Sequence, residues 1–228
     1  MIKHQIPNLI TLGNLLCGVI ACYFAARGNV QVAALFICLG IFLDFFDGLA
    51  ARLLNVASPL GKELDSLADV VTSGVAPGII LLHLLRDNAS QWLALVALLV
   101  PLFAAYRLAK FNLDTRQSHS FLGLPVPSNA LIWVGLALWQ GTPENNIAFA
   151  IALIIISLAT NILMVSEMPM FSLKVNFKDM SWKSNDVQYL FLIGCAALIA
   201  VARQWYAISL IILWYIVLSA ITQRKHAE

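Results

Sequence analysis

From Leu9 to Ala26 the chain carries no Asp, Glu, Lys or Arg. That run is close to the ~20 apolar residues that take an α-helix across a bilayer. Further apolar runs follow at 31–54, 64–85, 91–111, 127–139, 147–165, 187–202 and 205–221. Hydrocarbon offers no partner to a free backbone N–H, so only helices or a closed barrel can cross it. The runs are continuous rather than alternating, which selects helices. The expectation is an all-α integral membrane protein with about eight transmembrane helices, residues 1–228 forming a single domain. Composition agrees: 61% of residues are hydrophobic and 11% charged, against roughly 25% charged in soluble domains. A net charge of +2 gives no reason to expect a nucleic-acid partner. The first run begins near basic residues and ends in small ones, as a signal peptide does. A retained helix is expected instead, because further spans follow at once and Asn14 interrupts the run.

Eight spans put both termini on one side, and positive charge identifies that side. Of the 14 Lys and Arg residues, Arg27, Arg86 and Arg203 fall on one side. The other eleven are Lys3, Arg52, Lys62, Arg107, Lys110, Arg116, Lys174, Lys178, Lys183, Arg224 and Lys225, and they fall on the other side. The positive-inside rule then makes both termini cytoplasmic. Cys17, Cys22, Cys38 and Cys195 all lie in apolar runs without metal-ligand spacing, and read as small buried hydrophobes. No repeat, low-complexity tract or soluble domain stands out.

Four carboxylates break the apolar pattern. Asp44, Asp47, Asp65 and Asp69 lie in or beside segments apolar enough to span, where an ionised side chain is costly and ordinarily faces a cavity with a function. On helices, Asp44 and Asp47 share one face, and Asp65 and Asp69 share another. Ser58, Pro59 and Gly61 form a polar break between the pairs, so the two helices can return antiparallel with their carboxylates converging. Hard oxygen donors in that number suit Mg²⁺ or Mn²⁺. Arg52 and Lys62 are too few to neutralise them together with Glu63. Buried ion pairs or an ion-conducting path are the competing readings. Gly48 and Ala51 continue the stripe of Asp44 and Asp47 and leave space beside it.

The full pattern is D-x2-D-G-x2-A-R-x8-G-x3-D-x3-D, filled by Asp44, Asp47, Gly48, Ala51, Arg52, Gly61, Asp65 and Asp69. It resembles the signature of the CDP-alcohol phosphatidyltransferases, membrane enzymes that move a phosphatidyl group from a CDP-linked lipid to an alcohol. The resemblance implies metal binding by Asp44, Asp47 and Asp65, with two divalent ions. It also implies that Asp69 is the general base and touches one of the metals. Gly48, Arg52 and Ser58 are implied as contacts to the CDP moiety; the lesser reading of Arg52 is an interfacial arginine with its head in water. Leu49 stands where the family carries Arg or Lys. Pro7-Asn8-Leu9-Ile10-Thr11 resembles the family's P-N-x-x-T element, implying that Pro7, Asn8 and Thr11 approach the diphosphate. Those residue types are also ordinary at a helix start.

Within the family the chain is most similar to the phosphatidylserine synthases, a likeness covering about residues 5–130. Glu63-Leu-Asp-Ser-Leu-Ala-Asp69, Arg107-Leu-Ala-Lys-Phe-Asn112 and Phe121-Leu-Gly-Leu-Pro-Val-Pro127 match their extended motifs. Lys110 replaces an arginine there, and Asn14 sits where phosphatidylglycerophosphate synthases tend to carry arginine. The implied substrates are CDP-diacylglycerol and L-serine, with Glu63, Arg107, Lys110 and Asn112 as serine-binding candidates. Positive-inside anchoring is the other reading of Arg107 and Lys110. Choline, inositol or glycerol phosphate are alternative acceptors, and a cation transporter is the alternative of another class. The resemblance further implies a homodimer in a bacterial-type inner or plasma membrane, with its site open to the cytoplasm.

Overall fold

The computed structural model describes residues 2–56, 58–114, 121–171 and 186–227. Helix α1 (Ile2–Ala26) is followed by α2 (Val30–Leu53). Next comes one continuous helical span from Pro59 to Arg86, made of α3 (Pro59–Asp69), a π-helical segment (Val70–Val75) and α4 (Ala76–Arg86). A short α5 (Gln91–Ala94) and a 3₁₀ turn lead into α6 (Leu99–Leu113). After these come α7 (Val126–Ala137), α8 (Ile147–Val165), α9 (Asp186–Ala202) and α10 (Ala207–Ala227). Strands β1 (Phe121–Leu122) and β2 (Pro169–Met170) pair antiparallel as a two-residue clasp. The helix α1 starts at Ile2, so most of the polar lead before Pro7 is already helical.

Helices α1 and α2 are patterned inside out relative to a soluble protein. Along α1, Thr11, Asn14, Gly18, Ala21 and Ala25 are buried, while Leu9, Leu12, Leu16, Val19 and Tyr23 are exposed. Both stripes advance three or four residues at a time, the period of one helix face. On α2, Ala33, Ala34, Ile37 and Gly40 face inward, and Leu35, Leu39, Phe42 and Phe46 face outward. Lipid tails are as apolar as leucine, so large apolar side chains can face outward while small ones let backbones approach. The span from Pro59 to Arg86 is the most buried of the long helices and forms the centre of the bundle.

The π segment has a cause in the sequence. Pro77 has no N–H to give the carbonyl of Ser73, and its ring crowds that carbonyl in a regular α-helix. Widening the preceding turn relieves both conflicts, and the Ala76 N–H reaches back five residues to the Val71 carbonyl. Gly74 and Gly78 on the same stretch pack against Pro101, with ideal Cβ atoms at 3.6 and 3.0 Å from it respectively.

Among the described residues, five helical spans are long and apolar enough to cross a membrane: Gln5–Ala26, Val30–Leu53, Pro59–Arg86, Gln91–Leu113 and Ile147–Val165. Val126–Ala137, Val187–Ala202 and Ala207–Thr222 are shorter apolar helices. The chain is therefore an integral membrane protein. The basic positions Arg116, Lys174, Lys178 and Lys183, used above to orient the chain, lie outside the described residues. At Gly123 the backbone takes φ +73°, and its N–H and that of Leu124 donate to Met168 and Leu163 carbonyls. The turn before α7 is thus tied to the last turn of α8 and to the segment that follows it. A Cβ at Gly123 would lie 2.5 Å from the Met164 carbonyl oxygen, so glycine is needed for conformation and for space.

Candidate active site

The chain reverses between the end of α2 and the start of α3, and α3 brings Asp65 toward Asp44 and Asp47 of α2. Ser58 caps α3, its Oγ accepting from the Gly61 N–H at 3.0 Å, and Pro59 occupies the first turn, where its missing N–H costs nothing. One carboxylate oxygen from each of Asp44, Asp47 and Asp65 then lies within 4.8 Å of the others. Oxygens bound ~2.1 Å from one octahedral ion sit about 3–4.2 Å apart, so the triad needs only a small contraction to close on a divalent cation. Oδ1 of Asp65 is buried without a hydrogen-bond partner. No Lys or Arg pairs with the triad among the described residues; the ion pair there is Lys110 with Glu167 at 3.8 Å. An all-oxygen anionic donor set with an orphaned buried oxygen fits Mg²⁺ or Mn²⁺.

Asp69 stands one turn beyond Asp65 and is outside this triad. It is 7% exposed, and its Oδ1 accepts from Asn14 Nδ2 at 3.4 Å. Thr11, buried on α1, donates its hydroxyl proton to Asp47 Oδ2 at 2.6 Å, and its oxygen also lies 3.0 Å from the Pro7 carbonyl. The first helix therefore contacts both aspartate pairs.

Beside the triad opens a pocket of about 330 Å³. It is lined by Pro7, Asn8 and Thr11 of α1, by Gly48 and Arg52 of α2, and by Ser58 before α3, all six singled out in the sequence for the CDP-lipid. Asp47 and Asp65 form its carboxylate wall. Ala51, Val56, Gly61 and Lys62 complete it, and of these sequence reasoning had assigned none to the lipid. A Cβ on Gly48 would meet nothing within 4 Å, so the missing side chain leaves open space. A Cβ on Gly61 would come 3.3 Å from Asn8 Oδ1, so glycine lets α1 pass close over the first turn of α3. Arg52 is exposed and its Nε donates to the Gly48 carbonyl at 3.0 Å, turning the guanidinium along the pocket rim.

The four residues expected near serine are placed differently from one another. Arg107 is 7% exposed, its guanidinium carbon 4.9 Å from the centre of the Phe111 ring. Lys110 donates to the Val165 carbonyl at 3.2 Å and pairs with Glu167, fastening α6 to the end of α8. Asn112 donates to Ser66 Oγ at 2.8 Å, and its carbonyl accepts from Lys62 Nζ at 2.9 Å, fastening α6 to α3. Glu63 is exposed. The contacts of Asn14 and Thr72 were not anticipated. The available signal was a polar residue in the middle of each apolar run.

This chain matches the family model described as CDP-alcohol phosphatidyltransferase over residues 4–173. The chain belongs to that family. Among curated proteins, the CDP-diacylglycerol–serine O-phosphatidyltransferase of Bacillus subtilis is 43% identical over 124 residues, covering 54% of this chain and 70% of that protein. The protein of the same name from Helicobacter pylori strain J99 is 37% identical over 133 residues, 58% of this chain and 56% of its own length. That from Saccharomyces cerevisiae is 38% identical over 133 residues, 54% of this chain and 48% of its own. The match thus spans about half the length of the latter two relatives. The matched stretch includes the pocket beside the carboxylate triad and all the residues that line it.

Proposed function

We propose that the chain transfers the phosphatidyl group of CDP-diacylglycerol to the hydroxyl of L-serine, giving phosphatidylserine and CMP. The observation that carries the reading is a single pocket holding the first-helix element, Gly48, Arg52, Ser58 and the carboxylate wall together. Serine as acceptor is supported by the curated names of the relatives and by Arg107, a buried cation suited to a carboxylate.

In this reading Asp44, Asp47 and Asp65, with Asp69 beside them, would hold two divalent cations. When bound, such ions neutralise charge on the diphosphate and stabilise CMP as the leaving group. Thr11 fixes Asp47 in place. Pro7, Asn8 and the N-terminus of α3 at Ser58 border the diphosphate, where the free N–H groups and helix dipole favour an anion. The cytidine lies over Gly48, and Arg52 closes the rim. Asp69 accepts the serine hydroxyl proton as that oxygen forms its bond to the phosphatidyl phosphorus. The bond from phosphorus to the CMP oxygen breaks, and CMP departs with its electron pair. Arg107 receives the serine carboxylate, with Lys110, Asn112 and Glu63 as outer contributors. Eight spans, cytoplasmic termini, a site open to the cytoplasm of a bacterial-type membrane, and a homodimer complete the proposal.

Purified protein in detergent with CDP-diacylglycerol, Mg²⁺ and a panel of alcohols tests it by CMP release. Turnover with serine and none in EDTA, restored by Mg²⁺ or Mn²⁺, is expected. Turnover with glycerol phosphate, inositol or choline but not serine would reassign the acceptor, and full activity in chelator would remove the metal.

A further inference from the structure

The middle of α1 carries a buried amide that the reading above leaves without a task. Asn14 is fully buried, and its Nδ2 donates to Asp69 Oδ1. Its Oδ1 is buried without a partner and faces α2, where an ideal Cβ on Gly40 would lie 2.9 Å from it. A carboxylate only accepts hydrogen bonds, so the amide nitrogen is the end that must face Asp69. A buried carbonyl with no donor is destabilising, and few such groups survive in native structures without a reason. A leucine of similar size would remove that cost, yet an asparagine occupies the position.

Two neighbouring helical segments pack against α1 at Asn14. Thr72, fully buried on the π segment, donates its hydroxyl to the backbone carbonyl of Asn14 at 3.1 Å. Thr72 sits where the widened turn brings it against two glycines. A Cβ on Gly18 would lie 2.8 Å from Thr72 Cα, and one on Gly40 would lie 2.5 Å from Thr72 Cγ2. Both glycines give Thr72 its space, and Gly40 also bounds Asn14. The π turn begins at the residue after Asp69, so Thr72 and Asp69 lie on adjoining turns of one continuous span.

We propose that Asn14 is a positioning residue for Asp69, holding one carboxylate oxygen so that the other faces the acceptor hydroxyl. Thr72, with Gly18 and Gly40 packed against it, is the seat that fixes the backbone at Asn14. The contact at 3.4 Å is long for an N–H···O bond. Such bonds in a substrate-free site commonly shorten once the reacting complex forms. The inference rests on Asp69 being the base, and the experiment separates the two.

Asn14→Leu, Thr72→Val, Asp69→Asn and the Asn14→Leu/Asp69→Asn double variant are compared in the full-length enzyme. The readouts are CMP release, the Mg²⁺ activation midpoint, the KM for CDP-diacylglycerol and Tm. Asn14→Leu is expected to lower kcat about 10- to 100-fold while KM and the Mg²⁺ midpoint stay within about twofold, since general-base contributions run to 10²–10⁴. Its Tm is expected to equal or exceed that of the parent, because the orphaned carbonyl is gone. Thr72→Val, which keeps the shape, should lower kcat in the same way but less. In the double variant, loss of Asn14 should cost nothing beyond loss of Asp69. Asn14→Ala gives the same readouts in a smaller volume should leucine not fit against Gly40. Unchanged kcat in both Asn14 variants, or a lowered Tm with equal losses in both Asp69 backgrounds, overturns the proposal. If Asp69→Asn itself keeps turnover, the base assignment is what fails.

Discussion

Thr11 and Asp47 lie 36 residues apart on two different helices, and their side chains meet at 2.6 Å in a buried contact. The pair ties the element at the start of α1 to the carboxylates of α2, so the pocket and the carboxylate triad share a wall. Asp47 is thus held by a fixed hydroxyl and also belongs to the triad. A hydrogen bond to a charged group is worth about 1.5–3 kcal/mol. Thr11→Val keeps the shape and removes the donor, and is expected to raise the Mg²⁺ activation midpoint about tenfold or more. Metal titration of CMP release checks it; an unchanged midpoint would mean that Asp47 is held by other means.

Gly48 offers a test in which stability and activity move in opposite directions. A side chain at this position meets nothing within 4 Å at its Cβ, and glycine in a helix interior is disfavoured by about 1 kcal/mol relative to alanine. Gly48→Leu should therefore fold with equal or higher Tm. It should also fill part of the pocket and raise the KM for CDP-diacylglycerol at least tenfold. A variant with normal lipid KM would show that the lipid does not lie over this turn.

Asp69 and Asp44 should fail in different ways. Asp44 belongs to the triad, whereas Asp69 stands outside it with Asn14 as its partner. Asp69→Asn is expected to lower kcat by about 10²–10⁴, the range for loss of a general base, with CDP-lipid binding in Mg²⁺ largely kept. Asp44→Asn should lose metal and lipid affinity together. Lipid binding by each variant, measured beside turnover, decides; equal loss of binding in both would make Asp69 a metal ligand and no base.

Arg107 is buried against Phe111, where a guanidinium is costly unless it has work to do. Arg107→Ala should raise the KM for serine at least tenfold with little change in the KM for CDP-diacylglycerol. A structural arginine would instead lower the yield of folded protein and leave the serine KM of the remainder unchanged. Arg107→Lys keeps the charge but loses the planar fork, and should recover only part of the serine affinity.

The apolar runs and the offsets of the four aspartates were decided by sequence alone. Hydrocarbon tolerates only internally bonded helices, so the run lengths set the spans, and the α8 limits at 147 and 165 fall where the pattern puts them. Gly48, Arg52 and Ser58 were legible through the resemblance of the aspartate motif to the family's, and the pocket brings them together with Pro7, Asn8 and Thr11. Contacts between helices were not legible. Nothing in residues 9–26 says that Asn14 faces Asp69, because the rotation of α1 against α3 is set by Gly18, Gly40 and Thr72 packing together. Nor does the R-L-A-K-F-N stretch reveal that Arg107 turns inward while Lys110 reaches α8 and Asn112 reaches α3. Successive helical residues differ by about 100° in direction, so a six-residue motif samples most of the circumference. Only the tertiary structure decides which neighbour each side chain meets.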